Sequence, residues 1–105
     1  MLVVREKTNL YRVDKDEIIY FMQNGRHIDV VSERKTYTLK NRKIKDIEKY
    51  LDKTFFKCHS YLIVNLQKIK EIGKHDAVFE NGKSIGMCYA ATLKLKKALK
   101  SLEQH

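Results

Sequence analysis

The chain has 105 residues, too few for separate substrate and cofactor domains but enough for one domain spanning 1–105 with a sizeable core. Hydrophobic residues at 43% and charged residues at 33% describe a folded, soluble unit, and no apolar run or basic–apolar leader marks a membrane span or secretory signal, so no membrane is expected and the cytoplasm is the expected location. There are 22 Lys and Arg against 13 Asp and Glu, a net charge of +9, which turns the partner list toward polyanions: nucleic acid, anionic surfaces and acidic proteins.

In chain order, Leu2 to Arg5 and Asn9 to Val13 are short and β-prone. Ile18 to Phe21 reads as a strand running to Asn24-Gly25, a dipeptide that favours positive φ and suits a hairpin turn, with Arg26 to Ser32 returning. Thr36 to Leu39 is a further strand. Asn41 is then a good N-cap, and Ile44, Ile47 and Leu51 recur at helical spacing, which predicts an amphipathic helix over 42–52. Phe55 to His59 and Ile69 to Ile72 resume as strands, and Ala77 to Glu80 and Lys83 to Met87 flank a second Asn-Gly turn at 81–82. The last stretch is helical: Ala91, Leu95, Ala98, Leu99 and Leu102 share one face, while Lys94, Lys96, Lys97 and Lys100 cover the other. The expected fold class is mainly β, small antiparallel sheets with one short internal helix and one C-terminal helix.

The positive charge is unevenly spread. Residues 1–25 carry four cations and four anions, residues 26–60 ten against five, and 61–105 eight against four. Arg34 to Lys45 holds six cations (Arg34, Lys35, Lys40, Arg42, Lys43, Lys45) and no acid. Such a stripe concentrates polyanions, and the competing reading is a lysine-rich solvated face.

Catalytic constellations are missing. There is no Gly-rich phosphate loop, no His-x-x-x-His pair and no Gly-x-Ser-x-Gly elbow, so no enzyme and no cofactor is expected. Cys58 and Cys88 lack Cys-x-x-Cys spacing or clustered His, which speaks against a metal site. Cys58 stands next to His59, but adjacent strand residues point to opposite faces and do not make a nucleophile–base pair.

The run from Phe55 to Leu66, with Ile69 and Ile72 after it, resembles the centre of the LytTR DNA-binding domain family, whose pattern here is Phe-x-x-x-His-x-Ser-x-x-Val-Asn-x-x-x-Ile. The flanks agree: Asp16-Glu17-Ile18-Ile19-Tyr20-Phe21 looks like the family's acidic lead-in to a strand, and Asn81-Gly82-Lys83-x-Ile85 like its final hairpin. The resemblance covers about residues 8 to 100. It implies an elongated fold of small antiparallel sheets whose loops, rather than a recognition helix, enter the major grooves of double-stranded DNA at direct repeats, with two copies on the DNA. It further implies the output half of a two-component response regulator, with a receiver domain N-terminal to this chain, or else a free-standing regulator of transcription. The alternative outside this class is a protein-interaction or anionic-surface-binding β domain. Departures from the family pattern fall at Ser60, where a basic or amide-bearing residue is usual, at Tyr61, usually small, and at Cys88-Tyr89, where Ser-Arg is frequent.

Candidate DNA contacts follow from the resemblance and the local chemistry together. Arg26 and His27 sit after the first Asn-Gly turn, able to meet a base edge or a phosphate, and which of the two makes the contact stays open. Arg42 and Lys43 open the internal helix, where cations at a helix N-terminus suit phosphate, a solvated helix face being the alternative. His59 is either a contact or an imidazole fixing a loop by hydrogen bonds. Ser60 and Tyr61 can donate to phosphate, with packing the alternative for Tyr61; Asn65 is expected to bond its own turn, and Lys83, Tyr89 and Lys94 complete the set. Leu93 falls on the lysine face of the last helix. Cys58 and Cys88 flank this region and are expected either as two buried thiols or as a pair that oxidation closes into a disulfide.

Overall fold

A computed structural model of the chain describes residues 2–103. The elements in order are β1 (Leu2–Glu6), β2 (Asn9–Val13), β3 (Ile18–Asn24), β4 (His27–Ser32), β5 (Thr36–Leu39), α1 (Ile44–Glu48), β6 (Phe55–His59), β7 (Leu62–Asn65), β8 (Ile69–Ile72), β9 (Asp76–Phe79), β10 (Ser84–Gly86) and α2 (Tyr89–Glu103). The strands form three antiparallel sheets: the hairpin β1-β2, a central sheet ordered β5-β4-β3-β7-β6, and a small sheet ordered β10-β9-β8. The body is elongated, 40 × 26 × 26 Å. This is the mainly β class expected, with 46% of residues in strands and 25% helical when the 3₁₀ turns Lys15–Glu17 and Leu66–Lys68 are counted with α1 and α2.

The central sheet is buried on both faces, and that sets the sequence of its middle strands. On one face Phe21, Ile28, Val30 and Ile63 pack with Val4, Val13 and the α1 residues Ile44 and Ile47. On the other, Ile19, Val31, Leu62 and Val64 pack with Ala77, Phe79 and Ile85 of the small sheet and with Ala91 and Leu95 of α2. A register shift between Ile18 and Tyr20 lets the consecutive Ile19 and Tyr20 pack on the same core, with Ile18 and Phe21 on the opposite one.

The sequence misses β7. Leu62-Ile63-Val64 is continuously apolar because both its faces are buried, so the alternation that marks a half-buried strand is absent. Asn65 ends the strand at 1% exposure, its Nδ2 donating to the Ile18 carbonyl (2.8 Å) and its Oδ1 accepting from the Gln67 N–H (3.0 Å). It is thus architectural.

The internal helix is shorter than the expected 42–52. It spans Ile44–Glu48, and Asn41 is not its cap. Asn41 instead takes φ 55° in the preceding turn, while the carboxylate of Asp46 accepts the Lys43 N–H at 3.1 Å and closes the first turn from within. Leu51, the third apolar position of the pattern, lies beyond the helix and packs half-buried on the same core. The C-terminal helix follows the expected pattern, with Ala91 and Leu95 buried and Ala98, Leu99 and Leu102 packed behind them.

Glu6 docks the N-terminal hairpin on β5. Its carboxylate accepts the outward-facing Thr38 N–H at 2.9 Å and the Lys35 ammonium at 3.1 Å. That ammonium also sits 4.3 Å and 4.8 Å from the ring centres of Tyr11 and Tyr37. The Thr38 bond, followed by Lys35, holds the Glu6 carboxyl below its ordinary 4.5. A carboxyl lowered on folding stabilises the folded state fully above its unfolded pKa, and the contribution fades as pH falls through the folded value. Glu6→Gln should therefore lower the melting temperature at neutral pH, and the gap to wild type should close as pH falls below about 4.5.

Candidate nucleic-acid interface

Antiparallel pairing of β3 with β7 decides which turns are neighbours. Met22 pairs with Leu62, and the Gln23 N–H donates to the Tyr61 carbonyl at 2.8 Å. The β3–β4 turn, bearing Arg26 and His27, is thereby set beside the β6–β7 turn, bearing Ser60 and Tyr61. The loop after β5 comes to the same end, its Arg42 N–H donating to the Arg26 carbonyl at 3.2 Å.

One side chain ties these loops together. Nε2 of Gln23 lies 3.0 Å from the Gly25 carbonyl, 3.1 Å from that of His27 and 3.0 Å from that of Arg42. Its Oε1 accepts the Ile44 N–H at 2.9 Å. Four backbone groups from the turn and the start of α1 thus converge on one amide, with Gly25 at φ 64° supplying the reversal. Arg26, Arg42 and Lys43 are exposed and His27 is half-buried. Sequence reading passes over Gln23, because only the fold brings Arg42 next to the turn.

At the neighbouring turn, β6 carries a bulge: Lys57 pairs with Ile63 and His59 with Leu62, leaving Cys58 as the extra residue. Cys58 turns into the core, and the His59 ring stacks on Tyr61 at 4.9 Å and 4°. The Nε2 atom of His59 is buried with no hydrogen-bond partner among the described residues. Within the described residues its contact with the loop is this stacking, and whether it also meets DNA belongs to the functional reading. Ser60 and Tyr61 are both exposed.

A third element reaches this end. The distal half of α2 (Ala98, Ser101, Leu102) lines a cavity with Lys53 ahead of β6, Phe56 near its start and Leu66 after β7. Since α2 lies along β6, its first turn points toward the His59 end. The β8–β9 turn is pinned there: the Met87 N–H donates to the His75 carbonyl and the Thr92 hydroxyl to the Lys74 carbonyl, both at 2.8 Å. Lys74 places its ammonium 5.6 Å from the Tyr89 ring, with His75 6.3 Å away. Lys74 and His75 join Tyr89, Leu93 and Lys94 as exposed residues of this region; they were missed because nothing local distinguishes their turn from any other.

Lys83 is placed elsewhere. Its turn packs where Asn81 and Glu80 line a cavity with Ile19, Glu33 and Lys68, beside the start of β3. A seven-residue strand, roughly 20 Å, separates that end from Arg26. The far end is charge-balanced, with Lys68 paired to Glu33 and Arg34 to Glu17. By contrast, no ion pair is seen among the described residues for Arg26, Arg42, Lys43, Lys74 or Lys94.

The cysteines differ from the expected two buried thiols. Both are free, but Cys58 is buried and Cys88 exposed. Burial pushes the Cys58 thiol up to about 12, which starves it of the reactive thiolate. Cys88 is the thiol a solution oxidant reaches first.

The body is β-rich and gathers turns from separate strands into one cationic, loop-built end. The family model described as the LytTr DNA-binding domain matches residues 8–100, and the chain belongs to that family. A solved LytTr DNA-binding domain from Bacillus cereus, whose parent protein is described as a methyl-accepting/DNA response regulator, superposes with a TM-score of 0.80 at 22% identity, covering 93% of this chain and 94% of that one. No curated protein matches the chain. No helix among the described residues is long and apolar enough to cross a membrane.

The Gln23 amide generates a direct test. Gln23→Ala should speed hydrogen exchange at Ile44 and loosen residues 24–27 and 42–44, leaving the Phe21 and Ile63 amides protected. Unchanged exchange at Ile44 would remove Gln23 as the organiser of the turn.

Proposed function

We propose that this chain is a single LytTr domain that binds double-stranded DNA sequence-specifically through its loop-built end and regulates transcription. It would act as the output domain of a response regulator or as a free-standing regulator. The observation carrying this reading is the convergence of Arg26, His27, Arg42 and Lys43 around the Gln23 amide, beside Ser60 and Tyr61, with the cations free of acidic partners among the described residues.

The roles divide by exposure and reach. Arg26 is the more exposed of the turn pair and presents a planar fork of donors, the shape that meets guanine O6 and N7 in the major groove. Half-buried His27, its carbonyl held by Gln23, lies at the root of the turn. Arg42, Lys43 and Lys94 position the backbone through phosphate, as do Ser60 and Tyr61, while His59 supports Tyr61 from beneath. Tyr89 and Lys74 form a second contact at the start of α2. Two copies on direct repeats would double this contact, and a receiver domain joined ahead of β1 would supply the regulation.

Binding titrations on specific and random duplexes test the division. Lys43→Ala should weaken both about equally, whereas Arg26→Ala should cost ~1–3 kcal/mol mainly on the specific site. Lys83→Ala, at the charge-balanced end, should leave both nearly unchanged. With about six phosphates neutralised, affinity should fall roughly a thousandfold between about 50 and 200 mM salt. Equal losses from Lys83→Ala and Arg26→Ala would refute the assignment of the interface to one end.

A further inference from the structure

A cavity of about 460 Å³ opens between the N-terminal hairpin, the central sheet and α1. This lies within the range of small-molecule sites, roughly 300–1,000 Å³. Its walls are apolar: Leu2 and Val3 from β1, Phe21 from β3, Leu39 from β5, and Ile47 and Leu51 from α1 and beyond. Among the described residues only two charged side chains line it, Lys15 and Arg42, and no acid does. The Lys15 ammonium is steered by the Tyr50 carbonyl at 3.0 Å and keeps further N–H donors. An adjoining hollow shares Val3, Leu39 and Arg42 and adds Arg5, Lys7 and Lys40, again without an acid among the described residues. Around this region Val3 is 48%, Leu10 69% and Tyr50 67% exposed, a cluster of large apolar groups left in water.

We propose that this cavity binds a monoanionic medium-chain carboxylate, its alkyl chain among Val3, Phe21, Leu39 and Leu51 and its carboxylate on Arg42. Apolar walls with cations and no acid suit a molecule that is greasy at one end and negative at the other. Arg guanidinium matches a carboxylate with two parallel N–H donors, whereas Lys15, held by the Tyr50 carbonyl and facing the charge of Asp52, lies toward the other end of the cavity. Arg42 is also part of the loop-built end, its N–H and carbonyl bound to Arg26 and Gln23. A carboxylate held on this guanidinium neutralises the charge that a DNA phosphate would meet and brings two anions together, so the ligand and DNA compete for it. That competition rests on the DNA reading above; binding of the carboxylate does not.

Decanoate is the probe, titrated into the whole chain without DNA and followed by amide NMR shifts. Saturable one-to-one binding is expected, with shifts at Val3, Leu39 and Leu51 and an affinity roughly 15-fold above that of octanoate for its two extra methylenes. Decanol should bind at least about tenfold more weakly for want of the charge-assisted bonds. Arg42→Gln and Val3→Glu, both at solvent-facing positions, should each abolish binding while keeping the wild-type melting curve. Lys97→Gln on the outer face of α2 should leave it unchanged. Non-saturable shifts, decanol equal to decanoate, or full binding by Val3→Glu would each overturn the site. Saturating decanoate should weaken DNA binding by wild type but not by Val3→Glu, and unaltered wild-type DNA affinity would overturn the sharing of Arg42. If Arg42→Gln binds DNA like wild type, the DNA role of Arg42 fails while the decanoate titration stands on its own.

Discussion

The pairing of β3 with β7 is the constraint on which the rest of the molecule depends. Side chains along a strand alternate with a period of two, so a one-residue slip would exchange Ile63 with Val64 between the two cores and turn Leu62 out of its packing. Burial on both faces penalises that slip twice over. The fixed register sets the Gln23 N–H against the Tyr61 carbonyl, which brings two turns distant in sequence to one end of the sheet. Gln23 then adds the loop after β5 to the same end. Apolar packing thus decides the geometry of a polar surface.

Electrostatics makes the two ends of the sheet unequal. At the far end the cations are neutralised by Glu17 and Glu33, an arrangement that contributes little stability because exposed ion pairs are typically worth about 1 kcal/mol or less. Leaving Arg26, Arg42 and Lys43 without such partners therefore costs the fold little, and their charge stays available to a polyanion. The hairpin side shows the opposite choice. Lys35 is spent on Glu6 and the two tyrosine rings, holding β1-β2 in place. Counting Lys35 in the basic stripe on sequence grounds overstates the charge that the stripe can offer.

Much of this was legible from local chemistry. The two Asn-Gly turns, the α2 face and most strands follow from φ preferences and periodicity, and the motif around His59 led to the family. What escaped was set by tertiary structure. β7 lacked alternation because two cores claim it, and α1 lost its ends because Asn41 turned left-handed and Asp46 closed the first turn. Lys83 was grouped with the contact residues by its place in a motif, whereas β9 and β10 put it at the other end. Gln23, Lys74 and His75 carried no local mark, since their importance lies in what the fold sets beside them. Cys88 is exposed because it stands just ahead of α2, outside the packing that buries Cys58.

The central claim is that one end of the sheet, built from three separate loops, meets DNA. Amide hydrogen exchange of the chain with and without a specific duplex measures this most directly. Added protection should appear at residues 24–27, 42–43 and 59–61 and at the start of α2, and should be absent from residues 80–84. Protection centred on 80–84 and the neighbouring residues 33 and 68, with the Arg26 turn unchanged, would contradict it.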